Sequence, residues 1–174
     1  MTLMTLIPTI VEFALVLAVC AIEFDWRYVA TIILMIIAYL WFTIVATEWR
    51  VAIRRSMNES DTDANTKAVD SLLNYETVKY FGAEAREAQR YDKSMALYET
   101  ASVKTYTSLA VLNTGQAVIF TIAMTMCMIM SARGVLAGTY TVGHFVMVNM
   151  LMLQLFIPLN FMGMVYREIK QGIT

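Results

Sequence analysis

An all-α membrane protein is what this sequence predicts, on three observations. Hydrophobic residues make up 59% and charged residues 16% of the chain, against about 45–50% and about 25% in soluble domains. Four apolar runs each reach the roughly 20 residues that a helix needs to cross a bilayer. Between the second and third runs lies a long stretch charged with both signs, with no proline and one glycine, Gly82.

The first run, Met1 to Ile22, is apolar except for Glu12, and predicts a span at about 2–22. Glu12 either pairs within the bundle or lies at an unfavourable depth. Tyr28 to Thr47 carries no charge and predicts a span at about 27–47, joined to the first by a tight turn at Glu23 to Trp26. Thr105 to Ala132 is also uncharged, and Gly134 to Tyr166 has His144 as its one titratable group near neutral pH. These predict spans at about 107–132 and 140–165. Both runs are longer than the hydrocarbon layer, so the helices tilt or protrude. Gly134 and Gly138 are the expected helix stops between them.

Nine of the thirteen Lys and Arg residues lie between Glu48 and Lys104. The positive-inside rule places that segment, and both chain ends, on the cytoplasmic or matrix side. A structureless loop of this length is improbable. A helical hairpin over about 48–104 fits better, each arm of about 25 residues reaching roughly 35–40 Å at 1.5 Å per residue. Its tip is expected at Asn74, Tyr75, Glu76, Thr77, Val78, Lys79, Tyr80, Phe81 and Gly82, as a short transverse helix with Gly82 as its stop. The aromatics there either meet a soluble partner or pack between the two arms.

Several functions are excluded or disfavoured. No G-x-x-x-x-G-K-[ST] occurs, so the chain has no phosphate-binding loop of that kind. No Ser/His/Asp constellation is present, and no basic stripe interleaved with aromatics points to nucleic acid. A single histidine excludes a His-based metal cluster, and Cys20 and Cys127 lack ligand spacing. The run Met124, Met126, Cys127, Met128, Met130 does not converge on a helix, where two-residue steps point in nearly opposite directions. The first run has neither the basic start nor the cleavage site of a signal peptide.

Polar residues in the spans are costly and often functional. Asn113 and Gln116 are three apart and share a helix face. Tyr39 and Arg50 are eleven apart and in phase, with Arg54 one turn further on. Asn160, Gly163 and Arg167 line another face, beside Met164. Such groups suit a cavity for an anionic, peptide-like solute, because guanidinium pairs with carboxylates and amides bond peptide groups. The alternative is amides that tie helices together and arginines that snorkel.

The stretch Asn65-Thr-Lys-Ala-Val-Asp-Ser-Leu-Leu-Asn-Tyr-Glu-Thr-Val-Lys-Tyr-Phe-Gly82 resembles the ABC transporter of mitochondria family and its bacterial relatives. So do Thr47-Glu-Trp-Arg50, Leu112-Asn-Thr-Gly-Gln116 and Pro158 to Gln171. The resemblance implies the membrane domain of a type I ABC exporter, with this chain matching spans three to six of six. It implies a homodimer, nucleotide-binding domains that hold ATP and Mg outside these residues, and no cofactor within them. It implies that residues 74–82 are a coupling helix docking on the partner's nucleotide-binding domain. Pocket positions carried over by the resemblance are Tyr39, Arg50, Arg54, Asn113, Gln116, Asn160, Phe161, Gly163, Met164 and Arg167. Thr114 departs from the larger apolar residue usual there. The implied cargo is glutathione-linked: oxidised glutathione, a conjugate, or a sulfur or iron–sulfur precursor. The implied location is a bacterial or mitochondrial inner membrane. The alternatives are a lipid or multidrug exporter of the same fold and a truncated membrane scaffold.

Overall fold

The computed structural model describes the backbone of residues 2–172 and the side chains of residue 8 and residues 10–161. Five helices form there: α1 (Thr2–Glu23), α2 (Trp26–Leu73), α3 (Tyr75–Tyr80), α4 (Glu84–Leu136) and α5 (Val142–Gly172). The predicted spans at 2–22, 27–47 and 107–132 lie inside α1, α2 and α4, and the one at 140–165 falls in α5 from Val142 onward. Among the described residues, α2, α4 and the Val142–Phe161 part of α5 are long and apolar enough to cross a membrane. α2 and α4 have 48 and 53 residues, about 70 and 80 Å at 1.5 Å per residue. The chain divides into two compact units: Met1–Val45 with Asn113–Thr174, and Ala46–Leu112.

Unit one is a bundle of α1, α5 and the apolar parts of α2 and α4. Almost every residue of these segments is apolar, so hydrophobicity alone does not select the face that packs. The selection shows in steps of three and four: Tyr28, Ile32, Met35, Tyr39 and Thr43 are buried on α2, and Gln116, Phe120, Ala123, Cys127 and Ser131 on α4. Val148, Met152, Leu155 and Leu159 do the same on α5. The spacing is that of a single helix face. Ile33, Leu34, Ile37, Trp41 and Ile44 stay exposed on α2, as befits a helix whose solvent is lipid. Gly115 lets α4 approach α2 closely, since a Cβ there would overlap the Phe42 ring. Pro158 lies inside α5. It removes one N–H from the helical ladder, which membrane helices tolerate. Cys20 and Cys127 are free thiols in this core.

Gly138 (φ 74) ends α4. The Thr139 N–H donates to the Gly134 carbonyl at 2.9 Å and the Gly138 N–H to the Val135 carbonyl at 3.0 Å, the paired bonds of a Schellman motif, in which a left-handed residue closes the helix. Gly134 does not act as the expected stop, because α4 runs through it to Leu136. Its missing side chain instead makes room for the Tyr140 ring, which a Cβ would overlap.

Unit two pairs the polar part of α2 with that of α4 in opposite directions. Arg50 Nε donates to Ser108 Oγ at 3.2 Å. Further along, Lys67 Nζ donates to Asp63 Oδ2 (2.6 Å) and Ser94 Oγ (2.7 Å), and Ser94 donates to Asp63 (3.0 Å). Ser71 Oγ donates to Glu87 Oε2 at 2.9 Å. Ala64 and Ser94 are buried in this seam, their small size permitting the approach. The Lys67 ammonium, then the Ser94 hydroxyl, hold the Asp63 carboxyl below the usual carboxylate range.

α3 follows a bend at Asn74 and ends in a second Schellman motif. The Ala83 N–H donates to the Val78 carbonyl (3.0 Å) and the Gly82 N–H to the Lys79 carbonyl (3.3 Å), with Gly82 at φ 56. Lys79 Nζ bonds Glu84 Oε1 at 2.8 Å across the turn, raising the Lys79 pKa and lowering that of Glu84.

Candidate functional site

Two polar bonds one helical turn apart cross unit one from α2. The Tyr39 hydroxyl, on a side chain 1% exposed, donates to Asn160 Oδ1 at 3.2 Å. Asn160 Nδ2 donates in turn to the Phe156 carbonyl at 3.2 Å. Four residues along α2, Thr43 Oγ1 accepts from Gln116 Nε2 at 2.8 Å, and Gln116 is 4% exposed. Tyr39 thus ties α2 to α5, and Thr43 ties it to α4. Asn113 lies on the exposed side of α4, as does Thr114. The Asn113 and Gln116 amides are therefore split: one faces inward to a protein partner and the other outward. Phe161 is half-buried. The side chains of Gly163, Met164 and Arg167 lie outside the described residues.

In unit two, Arg50 is 6% exposed, and Ser108, its acceptor, donates its own proton to the Thr105 carbonyl at 2.7 Å. Arg54 is exposed one turn on. A guanidinium buried to this degree is kept where its hydrogen bonds and charge are used, because desolvating it otherwise costs several kcal/mol, on the order of a lost ion pair.

Thr43 and Ser108 are absent from the expected site, although Thr43 follows Tyr39 by four residues and that spacing is a usable signal. A third intramembrane bond joins α5 to α1: Gln154 Nε2 donates to Glu12 Oε1 at 3.2 Å. Glu12 therefore pairs within the bundle. No metal-holding group of three or more His, Cys, Asp or Glu exists among the described residues. The donors and acceptors assembled here bond to one another between helices; among the described residues of this group none is a nucleophile set beside a base.

α3 contributes a surface of another kind. It contains no buried residue. Tyr80 and Phe81 are 87% and 81% exposed, and Leu72, Leu73 and Tyr75 are exposed beside them. The aromatics do not pack between the arms, and their exposure makes an apolar patch of the sort that marks interfaces.

Long apolar helices that run on into polar, antiparallel arms, with tied polar groups in the bundle and bare aromatics on a short linking helix, define a helical membrane domain. Residues 1–159 match the family model of the ABC transporter transmembrane region. The chain belongs to that family and is an integral membrane protein of the ABC exporter transmembrane fold. It is 49% identical over 168 residues to "Iron-sulfur clusters transporter atm1, mitochondrial" of Neurospora crassa, covering 97% of this chain and 24% of the relative. It is 46% identical over 168 residues to the human "Iron-sulfur clusters transporter ABCB7, mitochondrial", covering 97% and 22%. Among solved structures, "Structure of a bacterial Atm1-family ABC exporter with ATP bound" superposes with a TM-score of 0.89 at 46% identity, covering 98% of this chain and 30% of that one. The chain is thus similar to part of the membrane region of Atm1/ABCB7-type exporters, and it spans about a quarter of the length of the curated relatives it matches.

Proposed function

We propose that the chain supplies four membrane spans and the coupling element of an ATP-driven exporter of glutathione-linked compounds, including sulfur or iron–sulfur precursors. The names of the relatives support the iron–sulfur part of this reading. The glutathione part is supported by the groups each unit offers: in unit two a buried arginine, Arg50, one turn from exposed Arg54, and in unit one Tyr39, whose hydroxyl is tied to Asn160. A tripeptide thiol brings two carboxylates and two peptide groups, which are the partners of guanidinium and carboxamide.

In this reading Arg54 and Asn113 touch the cargo, while Tyr39, Thr43, Gln116 and Ser108 fix the helices that present them. Arg50, Asn160, Phe161, Gly163, Met164 and Arg167 complete the recognition surface. A second copy of the domain closes the cavity, and alternating access moves the cargo out of the cytoplasm or matrix. Nucleotide-binding domains supply ATP and Mg, and residues 74–82 receive their motion through Tyr75, Tyr80 and Phe81. The location is a bacterial or mitochondrial inner membrane.

The test is binding of oxidised glutathione to the intact exporter in lipid. Arg54→Ala and Asn113→Ala are the informative variants, since both positions are exposed. A hydrogen bond to a charged group contributes about 1.5–3 kcal/mol, so Arg54→Ala weakens binding by roughly 10- to 100-fold. Asn113→Ala weakens it less, and the melting temperature without ligand does not move. Unchanged affinity in both variants refutes the glutathione reading, and tight binding of an uncharged lipid or drug instead establishes the apolar exporter.

A further inference from the structure

His144 is a titratable group that the transport reading does not use. It stands in the first turn of α5, where the His144 and Phe145 amides donate to the Thr141 carbonyl at 3.0 and 3.4 Å. The imidazole reaches back to that cap. Its Nδ1 accepts from the Thr141 backbone N–H at 3.3 Å and lies 2.7 Å from Thr141 Oγ1. A backbone N–H can only donate, so Nδ1 presents its lone pair and the neutral ring carries its proton on Nε2. This is one half of a capping box, the bond from the third helical residue's side chain back to the cap's N–H, with imidazole where Glu or Gln is usual. Nε2 lies 3.9 Å from Glu23 Oε2, at the end of α1. The ring is edge-on to Phe24 and tilted against Tyr140, with centroids 5.7 and 5.5 Å away.

We propose that His144 is a proton-responsive brace, which on protonation weakens the cap of α5 and tightens its tie to the α1–α2 turn. A proton taken up at Nδ1 occupies the lone pair that the Thr141 N–H uses, and the new N–H donates to Thr141 Oγ1 instead. The ring becomes a cation in ion-pair range of Glu23. Asp25 is the other acidic group in the α1–α2 turn. Arg27 in the first turn of α2 and Arg133 in the last turn of α4 are the basic groups on the adjoining elements, and both are exposed. The phenols of Tyr28 and Tyr140 complete the cluster. The α1–α2 turn follows because the Asp25 N–H donates to the Tyr140 hydroxyl at 3.3 Å, and Tyr140 packs on the imidazole. The tie to Glu23 belongs to the protonated ring and the cap to the neutral one.

Amide-resolved hydrogen exchange on the lipid-reconstituted protein, corrected for intrinsic chemical rates, tests this at about pH 5.5 and 7.5. Acidification is expected to lower protection of the Thr141 amide and raise that of the Asp25 amide, each about threefold, the scale of an exposed ion pair. His144→Gln keeps a capping acceptor that cannot titrate, so both responses flatten with the cap intact. Glu23→Gln abolishes the rise at Asp25 and leaves the fall at Thr141. The proposal is overturned if the two amides move in the same direction, if neither moves, or if the His144→Gln variant responds as the parent does.

Discussion

The bond between Gln116 and Thr43 decides between two roles for an intramembrane amide, and its strength can be worked out. At 2.8 Å between two nearly inaccessible side chains, it is at the short end for N–H···O. Interhelical hydrogen bonds in membranes average about 0.6 kcal/mol and reach about 1.7. The burial places this one in the upper part, so a double-mutant cycle should give a coupling of about 1–1.7 kcal/mol. The single variants should differ. In Gln116→Leu, the stranded Thr43 hydroxyl turns to the carbonyl four residues earlier in its own helix, and the loss is about 1 kcal/mol. In Thr43→Val, the Gln116 amide has no such refuge in a dry bundle, and the loss approaches about 3 kcal/mol. The double variant, apolar at both places, should be more stable than Thr43→Val alone. Reversible unfolding in bicelles, without ligand, measures all four proteins. A coupling within about 0.3 kcal/mol of zero, with Thr43→Val neutral, would refute the reasoning. If Gln116→Leu then also cut ligand affinity, Gln116 would be a cargo contact and not a helix tie.

Three other outcomes follow from the geometry. Gly115→Ala drives a Cβ into the Phe42 ring and should cost about 1–3 kcal/mol, as overpacking does; Phe42→Ala in the same protein should recover part of that loss. Asp63 is held below the ordinary carboxylate range by Lys67 and Ser94. Its contribution is complete above the unfolded value near 4 and disappears as pH falls through the depressed folded value, so resistance of unit two to acid proteolysis should drop below about pH 4. Asp63→Asn should remove that pH dependence. Tyr80→Ser with Phe81→Ser touches side chains that bury nothing, so stability should stay within about 0.5 kcal/mol, while cargo-stimulated ATPase of the intact exporter should fall. Unaltered ATPase would remove the coupling role from α3.

Much of the fold could be read from the chain, because apolar length alone dictates helix in a bilayer. The arms were legible through composition: a charged segment without proline favours helix over loop, and Gly82 stands where a left-handed residue is required. Gly134 misled because glycine serves two purposes. It stops a helix where φ is positive, yet here it stays in the helix and yields space to a ring, which only the three-dimensional neighbour reveals. The site was legible in phase but not in direction. Spacing placed Tyr39 and Arg50 on one stripe of α2 without showing that Tyr39 meets Asn160 in unit one or that Arg50 meets Ser108 in unit two. Asn113 and Gln116, 60° apart in the ideal helix, fall on opposite sides of the boundary between buried and exposed. In an all-apolar bundle no hydrophobic gradient marks that boundary. Thr43 and Ser108 escaped notice because small hydroxyls are common in membrane helices and only a partner gives them meaning.

The two native thiols have a practical consequence. Cys20 and Cys127 are both sealed in the packed core of unit one, where a maleimide in water cannot reach a thiolate. A cysteine installed at bare Tyr80 would therefore be the fast-reacting group in an otherwise unaltered chain, and a dye or spin label could be placed at that position without first deleting Cys20 and Cys127. The same shielding makes the native pair a chronometer. The rate at which they become alkylated counts openings of the bundle, and comparing that rate in lipid, in detergent and with cargo present would time those openings without any foreign probe.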